Sequence, residues 1–95
     1  MRNIEFDVEG KRCTGIEVSL PEAPLVLAAG KLGFVMCGYL NTDAAEKLGV
    51  AAARVRGVST IEDLLAAKIE SFTGPAAKRG VKAGMTGKEA LSCLV

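Results

Sequence analysis

The chain has 95 residues, 12 of them basic and 11 acidic, and its net charge of +1 makes no electrostatic case for a nucleic-acid or membrane partner. An apolar content of 49% excludes disorder, and the length leaves room for a single domain, residues 1–95, with one core. Histidine is absent and the three cysteines, Cys13, Cys37 and Cys93, lack paired spacing, so no metal site and no cofactor are expected.

The chain opens with strict alternation. Ile4, Phe6 and Val8 fall on one face of a strand, and Asn3, Glu5 and Asp7 on the other. Glu9-Gly10 then predicts a tight hairpin turn, after which Thr14, Ile16, Val18 and Leu20 are expected to repeat the apolar face, with Gly15 at a bulge position. Pro21 and Pro24 interrupt the pattern. Two strands follow, one over Leu25–Ala29 and one from Phe34 to Leu40, both apolar on their two faces. They are expected in the middle of the sheet, covered on each side by helices or by another subunit.

Thr42 to Leu48 reads as a short helix, with Asn41 as polar cap, an acidic first turn and Gly49 as its stop. Ala51, Ala53 and Val55 alternate with Ala52, Arg54 and Arg56, as in a strand that exposes one face. Ser59 with Glu62, or Thr60 with Asp63, gives capping-box spacing ahead of Ile61, Leu64 and Leu65. Ile69–Thr73 predicts another strand, Gly74-Pro75 a short helix ending at Gly80, and Thr86 with Glu89 a last capping box before Ala90, Leu91 and Leu94. The expected class is α+β: N-terminal hairpin strands, then alternating short helices and strands, forming one mixed sheet with helices packed on it.

Chemistry is sparse. The Gly84–Glu89 segment places Thr86, Gly87 and Lys88 at a helix start, where backbone donors and a positive charge suit an anion, although the spacing of a nucleotide phosphate loop is missing. Cys37 lies in an apolar strand near Asn41, where a thiol would face a pocket if it were not core packing. Cys37, Asn41, Thr86, Gly87 and Lys88 are therefore the candidate ligand-binding residues, for a small anionic ligand or a thiol-dependent reaction. No catalytic acid–base pair stands out. The leading expectation is a non-catalytic module that self-associates as a homo-oligomer or binds a partner. With neither a leader-like apolar run nor a membrane-length stretch, a cytoplasmic location with reduced thiols is expected.

Three segments carry a resemblance: Gly33-Phe34-Val35-Met36-Cys37-Gly38-Tyr39-Leu40-Asn41, Gly57 through Leu65, and Gly80-Val81-Lys82-Ala83-Gly84-Met85-Thr86-Gly87-Lys88-Glu89-Ala90-Leu91. Together they resemble the YunC-like family, short bacterial and archaeal proteins classed as a domain of unknown function. The resemblance implies a single α+β domain, and it brings no catalytic residue with it.

Overall fold

A computed structural model describes residues 2–95, which form six strands and four helices. The strands, β1 (Arg2–Val8), β2 (Lys11–Val18), β3 (Leu25–Ala29), β4 (Phe34–Met36), β5 (Ala52–Arg54) and β6 (Ser71–Phe72), lie in the sheet in chain order. All neighbours are antiparallel except β4 and β5, which run parallel. The parallel pair requires a crossover, and helix α1 (Thr42–Leu48) supplies it. The α+β class and the mixed sheet are as the sequence implies, with β3 and β4 at its centre.

Pairing fixes the two faces, because directly opposed residues share a face and successive residues alternate. The hairpin loop has two residues, both with positive φ, Glu9 at 55° and Gly10 at 75°, the backbone of a type I′ turn. Val8 consequently pairs with Lys11, Phe6 with Cys13 and Ile4 with Gly15. Cys13, Gly15 and Glu17 therefore join the face of Ile4 and Phe6. Thr14, Ile16 and Val18 lie on the opposite face, contrary to the sequence expectation. Gly15 is not a bulge either. It pairs in regular register, and a Cβ there would stand 2.6 Å from Ile61 Cδ1, so the residue is small to admit helix α2 (Ile61–Ala66).

The first face is the covered one. Helices α2 and α4 (Gly87–Ser92) pack on each other and across β1 to β4, burying Ile61, Leu64, Ala90, Leu91 and Leu94 against Val8, Cys13, Val26, Ala28 and Val35. Both helices begin as predicted. The Thr60 side chain accepts the Asp63 amide, and Asp63 Oδ2 accepts from the Ser59 amide. Thr86 and Glu89 form the reciprocal box in full.

On the second face α1 packs over β5. Ala52 points to this face and is fully buried, outside the main core cluster, and Thr42 Oγ1 and Ser71 Oγ lie 2.9 Å apart, which sets α1 across β5. The expectation that β5 exposes this side is corrected by that helix. Two further strands are shorter than expected: β4 ends at Met36, where a turn bonds the Leu40 amide to Cys37 O, and β6 keeps only Ser71 and Phe72. Thr73 ends β6 by capping helix α3 (Gly74–Lys78).

Candidate functional site

The carboxyl ends of the two parallel strands open into two adjoining cavities, the position at which α/β sheets commonly receive ligands. The first, about 330 Å³, is lined by Ala23, Pro24, Cys37, Gly38, Tyr39, Gly57 and Val58. Cys37 belongs to its wall but is 4% exposed, and its Sγ accepts the Val26 amide at 3.3 Å. Tyr39 stands between the cavities, its hydroxyl donating to Ala23 O at 2.9 Å. Gly38 lines both. A Cβ there would meet nothing within 4 Å, so neither crowding nor a positive φ explains the absent side chain.

The second cavity, about 690 Å³, is polar and includes Asn41, Thr42, Asp43, Arg54 and Ser71. Asn41 is already engaged as the α1 cap, its Oδ1 accepting from the Ala44 amide at 3.0 Å. Arg54 donates to Leu40 O at 3.2 Å and to the Glu70 carboxylate, while its buried Nε finds no acceptor among the described residues. Arg56 reaches the same carboxylate at 2.8 Å. The hydrogen bond from Arg54, and then the charges of both guanidinium groups, hold the Glu70 carboxyl below its ordinary range.

The remaining sequence candidates lie elsewhere. Thr86, Gly87 and Lys88 line neither cavity. The donors expected at that helix start have partners: the Thr86 amide bonds Glu89 Oε1, the Glu89 amide bonds Thr86 Oγ1, and the Gly87 amide bonds Ala67 O at 2.7 Å. Gly87 has a structural reason to be glycine, since a Cβ would sit 2.0 Å from Leu64 O. The structure thus joins Cys37 and Asn41 at neighbouring cavities and does not bring the Thr86–Lys88 segment to them. Sequence reasoning missed Tyr39 and the pairing of Glu70 with Arg54 and Arg56. The two arginines at i and i+2 were visible, but their carboxylate comes from Glu70, the residue just before the antiparallel neighbour β6, which only the pairing reveals.

The other large surface feature is the second face of the sheet. Its rows run Val18–Leu25, then Ile16–Leu27–Met36, then Thr14–Ala29–Phe34. All eight residues are half-buried, and Ile16, Val18, Leu27 and Phe34 belong neither to the buried core nor to the side chains packed on it. At the β1 flank of this face stand Glu5, Asp7 and Arg12, with Arg12 3.9 Å from Glu5 and 3.4 Å from Asp7. At the far flank stand Arg54, Glu70 and Arg56.

Comparison with known proteins adds relatives of equally open function. Residues 36–94 match the model of the family described as "Domain of unknown function (DUF1805)". The uncharacterized protein YunC of Bacillus subtilis is 39% identical, over 88% of this chain and 87% of its own. A crystal structure of a protein of unknown function from Thermoplasma acidophilum superposes with a TM-score of 0.94 at 33% identity, covering 99% of this chain and 92% of that one. A family match over more than half the chain, a relative this similar along nearly all of it and the shared fold agree: the chain belongs to the YunC-like family of DUF1805 proteins.

Proposed function

We propose that this is a non-catalytic cytoplasmic module that acts by self-association, with the second face of the sheet as its contact surface. One observation carries the reading. Ile16, Val18, Leu27 and Phe34 form a contiguous apolar patch on the face of β2 to β4 opposite α2 and α4, outside the core that those helices bury among the described residues. Proteins that remain monomeric seldom leave more than a few hundred Å² of apolar surface in one patch, and a second copy of the same face is the simplest cover. Two sheets packing face to face about 10 Å apart would bury these rows as a β-sandwich buries its core. The three free thiols fit a reducing compartment.

Light scattering at micromolar concentration tests it. A mass of twice 9.9 kDa or a higher multiple is expected, and Leu27→Asp should return it to 9.9 kDa with an unchanged far-UV spectrum. A wild-type mass of 9.9 kDa at every concentration would sink the proposal.

A second reading is a small-molecule site in the Cys37 cavity, favoured by the unexplained glycine at 38. The lining is mainly apolar, which suits an aromatic or aliphatic ligand more than an anion. Indole as probe should slow modification of the Cys37 thiol in the wild type and not in Gly38→Val, whose side chain would fill the space. Equal rates with and without indole would count against this reading.

A further inference from the structure

We infer that the two adjoining cavities form one site for a free α-amino acid with a large apolar side chain, the side chain in the Cys37 cavity and the zwitterionic head in the polar one. This rests on the small-molecule reading of the Cys37 cavity and adds the head group that such a ligand must carry. With volumes of about 330 and 690 Å³, both cavities fall in the size range of small-molecule sites.

The passage between them is built at Gly38. Gly38 and Tyr39 line both cavities, and the Tyr39 hydroxyl is tied to Ala23 O. A Cβ at residue 38 would project into open space, and the residue has no positive φ. The bare backbone therefore leaves clear the space that the cavities share, and a ligand can lie across it with one part on each side.

Charge selects the head group. Two guanidinium groups, those of Arg54 and Arg56, share the Glu70 carboxylate, so that cluster keeps a net positive charge. Arg54 brings this charge to the polar cavity. Its Nη1 gives one N–H to Leu40 O and its Nη2 one to Glu70, so each terminal nitrogen keeps a second N–H. Asp43 lines the same cavity, is exposed and makes no ion pair among the described residues. The cavity thus presents one unmatched charge of each sign. A ligand with only a negative charge would meet Asp43, and one with only a positive charge would meet Arg54; a zwitterion satisfies both.

The carboxylate end has further donors. Arg54 pairs directly with Ser71, which puts the two side chains on one face of the sheet, and Ser71 Oγ lies 2.9 Å from Thr42 Oγ1. One hydroxyl donates to the other, so the one that accepts still has its own hydrogen to give. The α-carboxylate then lies between Arg54 and this pair, with the α-ammonium toward Asp43, the residue after Thr42. The start of α1 is not itself the site, because Asn41 Oδ1 already holds the Ala44 amide.

Isothermal titration of the full chain with L-tryptophan, tryptamine, indolepropionate and indole tests the assignment. Tryptamine lacks the carboxylate, indolepropionate the ammonium and indole both. L-Tryptophan should bind roughly 10-fold or more tightly than each of the other three, as one lost hydrogen bond to a charged group implies. Asp43→Asn should weaken L-tryptophan by a similar factor and leave indolepropionate unchanged, a split that a general loss of structure would not produce. Gly38→Val should weaken L-tryptophan as strongly, with an unchanged far-UV spectrum. Indole or indolepropionate binding as tightly as L-tryptophan overturns the zwitterionic head while leaving the Cys37 cavity as an apolar site, and so does an Asp43→Asn variant that binds L-tryptophan like the wild type. If neither indole nor L-tryptophan binds, both readings fall.

Discussion

At the scale of single residues, Thr73 holds more of the structure together than its sequence position implies. It is 1% exposed, and its hydroxyl donates to Val50 O at 2.7 Å while accepting from the amides of Ala52 and Ala76 at 3.1 and 3.4 Å. One oxygen thus ties the loop before β5, β5 itself and the start of α3. Thr73→Val keeps the volume and leaves three backbone groups, two of them buried, without that partner, so a loss of about 2–3 kcal/mol is expected in urea unfolding. The thiols are ordered by access and charge. Burial and the nearby Asp7 carboxylate push the Cys13 thiol up, Cys37 is nearly buried, and Cys93 is half-buried. Mass spectrometry after alkylation should find Cys93 modified first and Cys13 last; early loss of Cys37 would contradict the packing described. Glu70 sets an acid limb. With its carboxyl held low in the folded chain, its ion pairs stabilise above the ordinary carboxylate range and are lost as pH falls through the folded value. In Glu70→Gln, the fall of stability with acid should be shallower.

At the scale of elements, the helices were legible and the sheet faces only in part. Caps act within four residues, so Asn41 before α1, Thr60 before α2 and Thr86 before α4 announce their helices in the sequence itself. Thr73 shows the limit of such reading: its neighbour Phe72 pairs with Ala53, and a strand reading of Ile69–Thr73 masks the cap that ends it. The error in β2 has a different origin. Thr14, Ile16 and Val18 do alternate as apolar positions, but a two-residue turn forces Val8 opposite Lys11, and with it the whole odd-numbered row onto the core. Loop length, available in the sequence, outranks hydropathy here because Cys13 and Gly15 are small residues that signal little. Of the candidate site, Cys37 and Asn41 could be placed from the strand and cap around them. The cavities beside them needed the loop from Gly38 to Leu40 and the approach of Val58, which no local pattern encodes. The turn also carries a prediction. Glu9 adopts a left-handed φ of 55°, which a non-glycine residue occupies at a penalty, whereas Asn tolerates it and Asn-Gly is the favoured type I′ pair. Glu9→Asn should raise stability by about 0.5–1 kcal/mol in urea titration, with the hairpin register unchanged.

At the scale of the whole molecule, the covered and open faces make different demands on the same sheet. A single chain exposes 5307 Å², close to the roughly 5,200 Å² expected for a folded monomer of its mass, so the chain closes its main core by itself. On the self-association reading, association adds to a fold that is already formed, and the two contributions can be separated by concentration. If the folded form is a dimer and the unfolded form is not, each tenfold rise in protein above the dissociation constant stabilises the dimer by about 1.4 kcal/mol, half of that per chain. For a chain of this length that corresponds to a rise in Tm of roughly 3–6 °C per decade of concentration. Leu27→Asp should remove any such association while leaving α2 and α4 on the other face untouched, because Leu27 is absent from the core those helices form. Its Tm should therefore be flat with concentration and should meet the wild-type value extrapolated to high dilution. A wild-type Tm that does not move, measured by scanning calorimetry over two decades of concentration, would mean that the apolar rows stay open in the working protein.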